Sequence, residues 1–240
     1  MSDLHFGAHD DGAAAALVAD VVAARPALTV VTGDHTMRAR TREFRAARAL
    51  LGRLPRPLLV VAGNHDLPLV SWRRGLHPYG RYRSWITDEL DPVRRIPGLT
   101  ALGLQSMPRW RWKNGRLTRR QAGLAARVLG EAPAGDVRLL ALHHPPFAGR
   151  LPGWRRVRRA GRPDLVLAGH THVPRVLPMD GTVVVVAGTA TSHRMRGVAR
   201  SWSLIAVAPH AFGITERYLD GGGWYTGRVV EVPRFSAAGS

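Results

Sequence analysis

At 240 residues the chain is long enough for one large domain with a well-buried core, and no apolar run approaches the roughly 20 residues a bilayer-spanning helix needs. It has no cysteine, which excludes disulfides and thiolate metal sites; no charged-then-apolar leader is read at its start, so the cytoplasm is the expected compartment. The formal charge of +18, all Arg but for Lys113 and spread along the chain, fits general attraction of phosphorylated substrates better than a dedicated nucleic-acid surface.

Taken in order, Asp10 to Arg25 reads as a helix, with Leu17 and Val21 one turn apart. Leu28 to Thr32 is a short apolar strand ending at Gly33-Asp34. Thr41 to Leu54 is a second helix, with Phe44, Ala47, Leu51 and Leu54 on one face and Thr41 as its cap. Pro57 to Ala62 is a strand that runs into Gly63-Asn64-His65-Asp66. Residues 67 to 98, with Trp72, Tyr79, Tyr82 and Trp85 among arginines and prolines, suggest a long excursion holding one short helix. Leu99 to Leu104 is a strand, and Thr118-Arg119-Arg120-Gln121 is a capping box opening a helix to about Gly130. Val137 to Leu142 and Asp164 to Ala168 are strands that each run into a histidine motif. Three further β-rich segments are Thr182 to Ala187, Trp202 to Val207 and Ile214 to Leu219. Strands alternating with helices, followed by a β-rich third, argue for an α/β protein with a second sheet. One domain over 1–232 is expected, with a disordered tail over 233–240.

Five His/Asp/Asn clusters carry the chemistry: Asp3-Leu4-His5, Gly33-Asp34, Gly63-Asn64-His65-Asp66, His143-His144-Pro145-Pro146 and Gly169-His170-Thr171-His172. Four follow apolar strands, where ligands of open α/β sheets bind. In an extended segment His170 and His172 face the same way, so both imidazoles can aim at one site. Oxygen and imidazole donors suit Mn, Fe, Zn or Co. They suffice for two adjacent cations, divalent or of mixed valence, and two metals so held imply hydrolysis of a phosphate ester. His9, His77, His193 and His210 read as solvated.

These motifs, in this order, resemble those of the calcineurin-like metallophosphoesterases, in particular the bacterial branch related to class III cyclic-nucleotide phosphodiesterases. The resemblance covers nearly the whole chain, through Gly188-Thr189-Ala190-Thr191-Ser192. It implies a four-layer αββα sandwich of two mixed sheets flanked by helices. It implies one metal on Asp3, His5, Asp34 and His172, and another on Asp34, Asn64, His143 and His170, with Asp34 bridging. A hydroxide between the metals would attack phosphorus. His65 would stabilise developing charge or protonate the leaving oxygen, Asp66 would orient His65, and His144 would support the ligands from behind. The implied substrate is a nucleotide-like or other small phosphodiester; nuclease activity and a non-catalytic scaffold are the alternatives. Pro108-Arg109-Trp110-Arg111-Trp112-Lys113-Asn114 could stack a base through Trp110 and Trp112, or use both rings to pack the loop down. Arg194 and Arg196 are further candidates for substrate contact.

Two departures from the family pattern stand out. The apolar strand that normally precedes Asp-X-His is missing apart from Met1 and Ser2, which would leave Asp3 and His5 on a mobile free end. Either the native start lies upstream of this Met, the preferred reading, or the first metal site is weakened. His35 stands where the family usually has Leu. It could be tolerated, add a hydrogen-bond donor behind the site, or perturb Asp34.

Overall fold

The computed structural model describes residues 1–69, 72–147 and 151–235. Its outer helices are α1 (Asp11–Ala24) and α2 (Thr41–Leu51), which flank the parallel pair β1 (Thr29–Val31) and β2 (Leu58–Val60). Asp10 caps α1 by accepting from the Ala13 amide at 2.8 Å. Thr41 is not the cap expected for α2. The helix begins at Thr41 itself, and Glu43 satisfies the amides of Arg38 and Arg40 at 2.7 and 3.3 Å.

The middle segment is more ordered than its composition suggested. It holds two short helices, α3 (Trp72–Leu76) and α4 (Gly80–Trp85), and a strand, β3 (Val93–Ile96), antiparallel to β4 (Leu99–Leu104). The Thr118 capping box forms as expected and opens α5 (Arg119–Ala125), which runs on as a wider turn to Gly130. After β5 (Val137–Leu142) comes a helix the sequence hid, α6 (Trp154–Gly161). Its Arg-rich run masks a buried stripe of Trp154, Val157 and Gly161 at helical spacing. The remaining strands are β6 (Leu165–Ala168), β7 (Arg175–Met179), β8 (Thr182–Val186), β9 (Ser201–Val207), β10 (Ala211–Asp220) and β11 (Gly223–Pro233). Neither β7 nor β11 was expected. Of the tail read as disordered, Pro233 ends β11, and residues 236–240 lie outside the described residues.

One sheet is six-stranded and mixed, in the order β3-β4-β5-β6-β8-β7, with the four central strands parallel. The other is assembled around the amino terminus. Met1 O accepts from the Thr32 amide at 3.0 Å and Gly33 O from the Asp3 amide at 3.0 Å. On the far side Ser2 O accepts from Ala190 at 3.1 Å, and Thr189 O accepts from Ser201 at the head of β9 at 2.8 Å. The β1–β2 pair is thereby joined to the β9–β10–β11 meander.

Alternation along the strands gives the four layers. Val30, Leu59, Leu139, Ala141, Val183 and Val185 pack between the sheets. Val31, Leu58 and Val60 face α1 and α2, while Leu140, Leu142, Val184 and Val186 face α5 and α6. The fold is the αββα sandwich expected. The notion of a free amino-terminal end is overturned: Ser2, Asp3, Leu4 and His5 are fully buried, because the stub is hydrogen-bonded on both edges. Upstream of it, in line with Met1, an apolar cleft of about 180 Å³ runs between β1 and β9, floored by Leu139, Leu167 and Val185.

Candidate metal centre

Strands β1, β2, β5 and β6 deliver their polar motifs to one edge of the sandwich, where the amino-terminal stub ends too. The turns there are tight. Asp3, His5, Asp34, His170 and His172 all adopt left-handed backbone, with φ between 49° and 69°. That conformation is costly for residues with a Cβ and collects at functional sites. Gly33 has φ +97°, and a Cβ there would stand 2.7 Å from His143 Nδ1. Only glycine lets the Asp34 turn come this close to the histidine.

Two groups of donors converge. In the first, His5 Nε2 and His172 Nε2 face each other at 3.1 Å, and Asp3 Oδ1 lies 3.6 and 3.2 Å from them. In the second, Asn64 Oδ1, His143 Nε2 and His170 Nδ1 are mutually 3.1–3.2 Å apart. Asp34 stands between. Its Oδ1 accepts from the His65 amide at 2.8 Å, leaving Oδ2 at 3.7 Å from His5 Nε2 and 3.4 Å from His143 Nε2.

This donor set fits cations better than protons. A proton placed between His5 and His172 serves one nitrogen pair only, and leaves Asp3 Oδ1, buried beside them, without a good hydrogen bond. A cation in each gap would satisfy several lone pairs at once. The Asp/His clusters of the site could hold metal.

Electrostatics follow the same division. Burial opposes charge on both Asp3 and Asp34. For Asp3 the nearby His172 imidazole, 3.2 Å from Oδ1, and the His143 charge outweigh it and hold the carboxyl at about 2. For Asp34 the neighbouring His143 holds it well below the usual carboxylate range. Burial likewise opposes a charged His143, but Asp34 lifts it to about 9. His170, buried and beside His143, is pushed down to about 4, and burial lowers His5 as well.

The surrounding residues fix these groups in place. His143 Nδ1 donates to Thr32 O at 2.7 Å and His172 Nδ1 to Arg194 O at 2.6 Å. His144 has both ring nitrogens engaged, with Ser106 Oγ at 2.8 Å and Lys113 O at 2.9 Å. His65 Nδ1 donates to Met37 O at 2.9 Å, and its Nε2 faces Arg194 Nη1 at 3.1 Å.

Asp66 does not orient His65. Its carboxylate accepts from the Gly63 and Thr36 amides at 2.9 Å each, from Thr36 Oγ1 at 3.1 Å and from His35 Nδ1 at 2.9 Å. It ties the Asp34 turn to the Asn64 turn, because the backbone bends it inward where His65 turns outward. His35 is accordingly the extra donor behind the site, fully buried and bonded to Asp66 rather than Asp34.

Trp110 and Trp112 are 65% and 51% exposed, and the Arg74 guanidinium lies 4.7 Å from the Trp112 ring. Arg196 is exposed and has no side-chain partner among the described residues, and His9, read as solvated, lies against the Phe6 ring at 4.2 Å and pairs with Asp11 at 3.0 Å. Ser106, Thr36, Arg74 and the hydroxyls of Thr189 and Thr191, which donate to Asp3 O and Leu4 O at 2.7 and 2.6 Å, were not foreseen. Only the Gly-Thr-Ala-Thr-Ser run had marked that last pair.

A family model for calcineurin-like phosphoesterases matches residues 1–174. A search of curated proteins finds no match. Among solved structures, the purple acid phosphatase PPD1 from yellow lupin seeds is 11% identical, with a TM-score of 0.68 over 93% of this chain and 49% of that one. GAP50, the anchor in the inner membrane complex of Plasmodium, is 11% identical with a TM-score of 0.59, over 98% and 87% of the two chains. A Vps29 double mutant from Entamoeba histolytica is 16% identical with a TM-score of 0.51, over 97% and 96%. At such identities the structural likeness shows the fold alone. The family-model match runs through every strand end that brings a donor to the centre, from Asp3 to His172, and on that ground the chain belongs to the calcineurin-like phosphoesterase family.

Proposed function

We propose that the protein is a dinuclear metal-dependent phosphodiesterase acting on a nucleotide-like or other small phosphodiester, with residues 1–232 as the catalytic unit. The observation that carries this reading is the position of Asp34 Oδ2, 3.7 Å from the His5 nitrogen and 3.4 Å from the His143 nitrogen. One carboxylate oxygen thus serves both donor groups. Asp3, His5, Asp34 and His172 would hold one cation, and Asp34, Asn64, His143 and His170 the other. When bound, two such cations supply a Lewis-acid clamp on the phosphoryl group and an activated water.

The chain's own residues do the rest. His65 Nδ1–H donates to the Met37 carbonyl, so Nε2 is the nitrogen that exchanges a proton at the leaving oxygen. Arg194 Nη1, 3.1 Å from that nitrogen, adds positive charge where negative charge develops. Asp66 holds the Asp34 and Asn64 turns at fixed spacing. A nuclease is the nearest alternative. The scaffold reading relied on a displaced Asp3 and His5, and both are buried beside His172.

The test is hydrolysis of bis-p-nitrophenyl phosphate with added Mn²⁺, beside Asp34→Ala. Turnover in the parent chain that disappears in the variant is the expected result. Equal rates in both, or none in either, would overturn the enzymatic reading.

A further inference from the structure

Among the described residues eleven large apolar side chains are exposed, and five of them stand on segments that adjoin the metal centre in sequence or through hydrogen bonds: Leu69, Leu76, Trp110, Trp112 and Met195, at 45, 67, 65, 51 and 47% exposure. They form two lips. The first is the loop around Trp110 and Trp112, clamped to α3 by the buried Arg74. That side chain donates to Arg109 O at 2.9 Å, to Pro68 O at 2.7 Å and to Arg111 O, with its guanidinium 4.7 Å from the Trp112 ring. Arg109 returns the contact by donating to Gly75 O at 3.2 Å, which brings Leu76 alongside. Lys113 O is bonded to His144, whose ring lies 4.6 Å from that of His170, so this lip abuts the second donor group. The other lip is Arg194-Met195-Arg196, held to the first donor group through His172 and to His65 through Arg194.

The tips share one pattern. Trp110 stands between Arg109 and Arg111, Trp112 between Arg111 and Lys113, and Met195 between Arg194 and Arg196. Residues 108–120 hold six cations and no carboxylate, and 181–215 hold no carboxylate either. Arg120 pairs with Asp91 at 3.2 Å, but the lip cations Arg109, Arg111, Lys113, Arg194 and Arg196 make no salt bridge among the described residues. Apolar tips flanked by unpaired cations on both sides of one opening need an occupant with an apolar interior and an anionic surface. A single-stranded nucleic acid offers phosphates and faces for the two Trp rings. It gives no apolar medium to Leu69, Leu76 or Met195.

We propose that the rim of the metal centre is a docking surface for an anionic lipid bilayer, with Trp110, Trp112, Leu76 and Met195 entering the interface and Arg109, Arg111, Lys113, Arg194 and Arg196 meeting lipid phosphates. No described helix is long and apolar enough to cross a membrane, so the attachment is peripheral. It would set the catalytic opening against the headgroup layer.

The experiment is co-sedimentation of the full chain, without added metal, with phosphatidylcholine vesicles and with vesicles containing about one-third phosphatidylglycerol. The parent chain is expected to sediment with the anionic vesicles only. The Trp110→Ser/Trp112→Ser double variant is expected to lose about tenfold in partitioning, and Met195→Ser to lose less. Unchanged thermal midpoints establish that these exposed positions leave the fold intact. Three results would overturn the proposal: no sedimentation with either vesicle, sedimentation indifferent to the tip substitutions, or tighter, Trp-dependent binding to a single-stranded oligonucleotide. Because no metal is added, failure here leaves the phosphodiesterase reading standing, and failure of hydrolysis leaves this one standing.

Discussion

The Asp34 carboxylate favours a proton on His143 where the proposed chemistry needs a cation. Burial, the largest influence on it, opposes that charge, yet the Asp34 carboxylate holds the imidazole at about 9. A ligand imidazole must be neutral, so metal uptake at pH 7 has to expel this proton. His172 is also raised, because the adjacent Asp3 carboxylate outweighs burial, whereas His5 and His170 are lowered and ready to bind. Metal binding should therefore release roughly one to two protons per chain, read from the buffer dependence of the calorimetric enthalpy. The sign follows: apparent affinity rises from pH 7 and levels off above about 9, where His143 has already lost its proton. Release of none would remove His143 from the ligand set. His65 should behave differently. Replacing it with Ala is expected to lower kcat by about 10²–10⁴ while metal content stays unchanged; metal lost along with activity would make it a ligand instead. Most of the proposed ligands were legible in the sequence because they stand within a few residues of a strand's end, where the backbone leaves the sheet. Asp66 was misread because neighbouring residues in a turn point apart. Ser106 and Arg74 left no trace, since their partners are either far along the chain or backbone carbonyls.

At the scale of elements, the amino-terminal stub is paired along both its edges. Met1 lies at the end of the cleft between β1 and β9, its amine donating to Val30 O at 3.1 Å and pushed down to about 6 by burial. An amide there would carry no charge to desolvate. Fusing an extended Val- and Ile-rich segment of about five residues ahead of Met1 should therefore raise the thermal midpoint by covering the apolar cleft walls. A Gly/Ser segment of equal length should not. A midpoint lowered or unchanged by the apolar segment would mean the cleft does not accept a strand. The elements that sequence periodicity revealed are those with a clean apolar pattern, such as β5 and β8. It missed α6, where arginines occupy every exposed position and only Trp154, Val157 and Gly161 mark the buried stripe. It missed β11 as well, an edge strand with most of its side chains half-buried or exposed and so without strong contrast.

Across the whole molecule the proposed ligands come from five separate segments, belonging to both sheets. Asp3, His5, Asp34 and Asn64 follow strands of one sheet; His143, His170 and His172 follow β5 and β6 of the other. The pairs that face across this seam, His5 with His172 and Asn64 with His143, are at 3.1 Å in both cases. Each is a pair of lone-pair donors with little to hold them together except a shared proton. Cations there would tie the sheets at the one edge where the core between them gives way to polar side chains. Since the unfolded chain scatters these donors, binding acts on the folded state alone and stabilises it by mass action. At a thousandfold excess over Kd the gain is about 4 kcal/mol, which for a chain of this size corresponds to roughly 8–16 °C in Tm. Mn²⁺ added to the chelated protein should produce such a shift, and Asp34→Ala, which removes the oxygen common to both groups, should lose most of it. A variant that keeps the full shift would place the metal elsewhere, and a parent chain with no shift would mean that the donors converge without binding.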